Sequence, residues 1–145
     1  MSDARPAIGV IGVGAMGMGV VASLLRGGFP THARDIRPEA HREAESRGAT
    51  CHPDAAALAG ACDIAILLVV DAAQVDDVLF GARGAAGAFR RDGIVMLSST
   101  VAPDYASALS ARLAALGVRL VDAPVSGGPR RAADGPCYLT GGMTA

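Results

Sequence analysis

The 145-residue sequence contains no Lys and no Trp, and aromatic residues make up only 3% of it. Without lysine there is no side-chain amine whose pKa the surroundings can bring near neutrality. All 13 basic side chains are Arg, set against 14 acidic ones, and the formal net charge is −1. That balance leaves no electrostatic footprint for nucleic acid or for a membrane surface. Cysteine is equally sparse. Cys51, Cys62 and Cys137 form no C-x-x-C and no even-numbered framework, which reads as reduced thiols in a cytoplasmic protein. The opening MSDARPAIGVIG sets a charged residue and a proline before a very short apolar run, a pattern that fits neither a signal peptide nor a membrane anchor. His32, His41 and His52 show no metal-ligand spacing and are expected at the surface, at strand starts or on a polar helix face.

What is present is small and aliphatic. Half of the residues are apolar, and 19 are Gly. Ala, Val, Leu and Ile in that proportion suit close-packed α/β layers, in which helices lie tightly on a parallel sheet. The length is that of one domain. Short β-type runs alternate with helical stretches, which predicts a doubly wound, mainly parallel sheet of the Rossmann type. Strands are expected at 8–11, 31–34, 49–51, 63–70, 94–97, 118–121 and 137–140. Helices are expected from Ala15 to Arg26, from Pro38 to about Arg47, from Pro53 to Ala59, from Ala72 to Phe80 and from Pro103 onward. The 63–70 run is apolar almost throughout, as for a strand buried on both faces.

Gly12-Val13-Gly14-Ala15-Met16-Gly17 matches G-x-G-x-x-G, placed directly after the first strand and at the opening of an amphipathic helix. The first glycine permits the tight turn, the second lets a pyrophosphate approach the backbone, and the third lets the helix pack on the strand. The helix end then offers its free N–H groups and positive dipole to the phosphates. Asp35 lies 23 positions beyond Gly12, where the second strand ends. A carboxylate there accepts hydrogen bonds from the ribose hydroxyls of NAD and repels the 2′-phosphate of NADP. Arg34 and Arg37 flank it and suit a phosphate, so NADP is disfavoured rather than excluded.

Two segments together resemble the β-hydroxyacid dehydrogenases: the fingerprint with Met16 before its third glycine, and Asp122-Ala123-Pro124-Val125-Ser126-Gly127-Gly128 followed by Ala132, Ala133 and Gly135. Val69-Val70-Asp71-Ala72-Ala73-Gln74 and Leu79-Phe80-Gly81 lean toward the members that act on sugar acids such as threonate. The resemblance implies hydride transfer between NAD and a small 3-hydroxy acid or sugar acid. It implies that Ser126, Gly127 and Gly128 contact the substrate carboxylate; glycine-freed N–H groups and the Ser126 hydroxyl can form such an anion nest. By the same resemblance Thr100 meets the cofactor near its nicotinamide end, although Ser98-Ser99-Thr100 before Pro103 equally reads as a helix cap. Val69 and Val70 are expected to line the cofactor groove through their backbone. Arg130 and Arg131 read as a solvated loop.

Family members use a lysine to manage the hydroxyl proton, on a long helix after the nucleotide-binding domain. The expectation is therefore a nucleotide-binding domain over residues 1–145, carrying the substrate-signature loop and no catalytic residue. The helical domain through which full-length members complete the site and oligomerise is expected to be absent. A stand-alone NAD-binding module without turnover, and an imine reductase-like oxidoreductase, are the alternatives.

Overall fold

A computed structural model describes residues 5–69, 71–89, 92–98, 101–122 and 142–144. In chain order its elements are β1 Ile8–Ile11, α1 Ala15–Arg26, β2 Thr31–Arg34, α2 Pro38–Ser46, β3 Thr50–Cys51, α3 Ala55–Ala61, β4 Ile64–Leu67, α4 Ala72–Phe80, β5 Ile94–Leu97, α5 Pro103–Ala114, β6 Arg119–Asp122 and β7 Gly142–Thr144. The strands form one sheet in the order β3-β2-β1-β4-β5-β6-β7. Pairing is parallel from β3 to β6, and only β7 runs antiparallel, with Val121 opposite Met143. This is the doubly wound Rossmann arrangement expected from the alternating pattern. The order reverses at β1, which lies between β2 and β4, and the crevice outside the carboxyl ends of these strands is where such sheets bind ligands.

The period-2 geometry of strands sends alternate side chains to opposite faces. Ile11, Leu67, Leu97 and Leu120 join Leu58, Leu79, Leu109 and Leu113 in a core on one face. Val10, Ala33 and Ile66 join Val13, Val21, Ala40 and Ala44 on the other. All four residues of β1 are buried, as a strand covered on both faces requires.

Local chemistry explains the departures from the expected boundaries. Helix α3 starts at Ala55 rather than Pro53 because the Asp54 carboxylate accepts the Ala57 N–H at 2.8 Å and acts as the N-cap. Strand β4 is shorter than its apolar run. At its start Asp63 turns back to accept the Ala7 N–H at 2.9 Å, and the chain leaves the strand after Leu67. On α1 the buried residues run from Gly17 to Val21, so Met18 is buried while Met16 is only partly so. The strand expected at 137–140 lies outside the described residues.

Candidate nucleotide-binding site

The fingerprint follows β1 as expected. Gly12 has φ +96°, and a Cβ there would sit 2.5 Å from the Leu68 carbonyl oxygen and 3.3 Å from the Val69 nitrogen. Only glycine fits a left-handed turn so close to the end of the neighbouring strand. A Cβ on Gly17 would strike the Gly12 carbonyl oxygen, so this residue lets α1 close onto the turn. Gly14 is the N-cap of α1, and no side chain caps it. The first helical bond runs from the Met18 N–H to the Gly14 oxygen at 2.8 Å. The opening turn therefore presents backbone N–H groups and the positive dipole end toward the crevice.

Asp35 comes directly after β2 and reaches back to this loop. One carboxylate oxygen accepts the Val13 N–H at 2.7 Å. The other accepts the Arg37 N–H at 2.9 Å and Arg37 Nε at 3.1 Å. Arg37 Nη2 in turn donates to the Val13 carbonyl at 3.1 Å. The Asp35–Arg37 pair thus holds both backbone polar groups of Val13, whose own side chain is buried. Burial pushes the Asp35 carboxyl upward, but the hydrogen bonds from Arg37 and Val13, with the Arg37 charge, outweigh it and hold the group below its ordinary range. Asp35 is a preformed, ionised acceptor.

A cleft of about 230 Å³ opens between this loop and α2. Val13, Gly14, Ala15 and Met18 line one side, and Arg37, Glu39, Ala40 and Glu43 the other. Ile36, between the two members of the ion pair, is 85% exposed. The residues fit a dinucleotide: open backbone at Gly14 for phosphate, a fixed carboxylate for ribose hydroxyls, and an exposed apolar side chain beside them.

The structure brings together Gly12, Val13, Gly14, Ala15, Met16, Gly17 and Asp35. Val69 is adjacent, half-buried at the carboxyl end of β4 and packed on the leucine-rich core. Val70, Thr100, Ser126, Gly127 and Gly128 lie outside the described residues. The N-cap of α5 is Ala102, with no side-chain cap, so that helix starts without the cap that a Ser/Thr cluster suggests.

Two expectations change in detail. Arg37 is part of the loop's own bonding as well as a flanking charge: Asp35 pairs with it, and the Glu39 and Glu43 charges act on it as well. The histidines are not simple surface residues. His32 Nδ1 and His52 Nε2 are 2.9 Å apart and part-buried, and His41 Nε2 accepts the Asp35 N–H at 3.0 Å. Burial lowers the pKa of both His32 and His52. Their pairing joins a β2 side chain to the loop after β3, a contact that spacing along the chain does not reveal.

Residues 7–145 match the family model for the NAD-binding domain of 6-phosphogluconate dehydrogenase. The chain belongs to this family of NAD-binding domains. Within it, the similarity is to β-hydroxyacid dehydrogenases. L-threonate dehydrogenase of Cupriavidus necator is 53% identical over 129 residues, covering 88% of this chain and 43% of that protein. The L-threonate dehydrogenase of Escherichia coli K12 is 40% identical over the same share of each. A crystal structure of 3-hydroxyisobutyrate dehydrogenase from Salmonella typhimurium superposes with a TM-score of 0.89 at 38% identity, over 94% of this chain and 48% of that one. The chain spans less than half the length of these relatives. Its place among the β-hydroxyacid dehydrogenases is the one the two motifs indicate, the threonate-like group is that of the 69–74 and 79–81 segments, and the cofactor class, NAD, is that of the fingerprint and Asp35.

Proposed function

We propose that this chain supplies the NAD-binding part of a β-hydroxyacid dehydrogenase that oxidises a threonate-type sugar acid or a related 3-hydroxy acid. The observation that carries the reading is the Asp35 carboxylate, fixed against the N–H of Val13 at 2.7 Å beside the open backbone of Gly14. When bound, NAD supplies the nicotinamide ring that takes up hydride. The chain's own residues bind and orient it. The opening turn of α1 holds the pyrophosphate, Asp35 the ribose, and exposed Ile36 an apolar face for the adenine.

The charges of the cleft favour NAD over NADP. Asp35 and Glu39 stand beside Arg37 at the corner where a 2′-phosphate would sit, while Glu43 pairs with Arg47; the Asp35 carboxylate is the charge that repels such a phosphate. Ser126, Gly127 and Gly128 complete the proposal as the substrate-carboxylate loop, and Val70 and Thr100 as further cofactor contacts. None of the 145 residues is Lys, so these residues alone are expected to show no hydroxy-acid oxidation. A cytoplasmic setting belongs to the proposal as well; it is supported by the sparse, odd-numbered cysteines, of which Cys51 and Cys62 form no disulfide. No helix among the described residues is long and apolar enough to cross a membrane.

The test is calorimetric titration of the chain with NAD and with NADP. Replacing Asp35 by Ala is expected to weaken NAD by roughly ten- to a hundredfold, the worth of a hydrogen bond to a charged group, and to change NADP far less. Equal losses for both cofactors remove Asp35 from the ribose-binding role.

A further inference from the structure

The β2–β3 ladder ends early. Its register pairs His32 with Thr50 and Ala33 with Cys51, and its last bond runs from the His52 N–H to the Ala33 oxygen at 3.1 Å. Residues two apart on a strand direct their backbone groups to the same neighbour, so the Asp35 N–H points along the edge that Ala33 presents to β3. No strand continues there. The acceptor it finds is a side chain from α2, His41 Nε2, at 3.0 Å. The His41 backbone is tied to the same edge, since its carbonyl accepts the Cys51 thiol at 3.4 Å.

We propose that His41 is a positioning residue for the nucleotide corner: its neutral imidazole replaces the missing ladder partner of Asp35 and thereby fixes the direction of that carboxylate. The proposal rests on the reading that this corner holds NAD. Asp35 contacts Val13 and Arg37 only while its own peptide stays extended past β2. A freed Asp35 N–H would seek water and turn the peptide, and the carboxylate would swing off the fingerprint loop with it. His41 therefore acts through Asp35 and needs no contact with the cofactor.

The bond also specifies chemistry. A ring nitrogen accepts a hydrogen bond only when it carries no proton, so the His41 proton sits on Nδ1.

The experiment measures NAD affinity of the 145-residue chain by calorimetry for the wild type, His41→Gln and His41→Leu. The Gln side chain places an acceptor near the Nε2 position; Leu fills the space and accepts nothing. His41→Leu is expected to bind NAD roughly five- to tenfold more weakly, the loss of one hydrogen bond's positioning. His41→Gln is expected to match the wild type. The Asp35 amide resonance, followed by NMR without cofactor, should shift in His41→Leu and stay near its place in His41→Gln. Wild-type NAD affinity in His41→Leu, or a loss in His41→Gln as large as in His41→Leu, overturns the positioning role and leaves the nucleotide site standing. A wild-type chain that binds no NAD overturns the site itself, and this role with it.

Discussion

The two faces of the sheet carry different residues and answer to different demands. One is filled by leucines from the strands and from α3, α4 and α5, with Leu58, Leu67, Leu97 and Leu113 fully buried. The other, against α1 and α2, is packed with Val and Ala together with Ile8, Ile66 and Met18, and its rim carries Asp35, Arg37 and His41. Large branched side chains maximise the apolar area removed from water. Small ones let helices approach until backbone groups reach a ligand or one another. The leucine face is thus expected to govern stability, and the small-residue face the placement of the fingerprint loop and of Asp35.

Substitutions on each face sharpen that division. Leu109→Ala on α5, where the side chain is 1% exposed, is expected to cost about 3 kcal/mol and lower Tm by roughly ten degrees. NAD affinity of the folded fraction should hold within about twofold. A large affinity loss would show that the faces are coupled. Gly12→Ala should do the reverse. A Cβ at φ +96° would press on the Leu68 carbonyl, so NAD binding is expected to fall by about a hundredfold or more, while denaturation shows a cost of about 1–3 kcal/mol. Retained binding would mean that the turn tolerates a side chain and does not set the approach of the cofactor.

The smallest effect tests the histidine pair. His32 and His52 have folded pKa values below the ordinary histidine value, so the unfolded chain takes up their protons first as pH falls. Stability from this pair is therefore complete above about pH 6.5 and declines as pH drops below it toward the lowered folded values. Both groups are partly exposed, which keeps the effect under about 1 kcal/mol. Urea melts at pH values on either side of that range should show the decline, and His52→Gln should flatten it. A wild type equally stable at both would remove the pair from the pH response.

Much of this was legible in the residues because periodicity and punctuation agreed. Helix α1 shows its apolar stripe between the fingerprint and Gly27-Gly28, and it forms over Ala15–Arg26. Helix α4 and strand β5 also occupy their expected spans. Asp35 was readable because its distance from Gly12 reflects one complete β-α-β unit. The histidine contacts were not readable. His32 meets His52 only through the register of a two-residue strand, and His41 meets Asp35 only because that strand stops short. Strand β7 is equally opaque: Gly-Met-Thr has no strand signature of its own and is a strand because β6 offers it an edge. Arg37 was visible as a charge beside Asp35, but its neutralisation depends on the turn that folds the two together.

On the proposed reading, the Asp35–Arg37–Val13 ring also limits what a cofactor finds there. A carboxylate offers about four acceptor positions, and three are taken within the protein by the Val13 N–H and by two donors of Arg37. A ribose presenting two hydroxyls would find roughly one free position and gain the second only by displacing an existing partner. Binding at this corner then adds a single bond, made to a carboxylate already aimed and already charged.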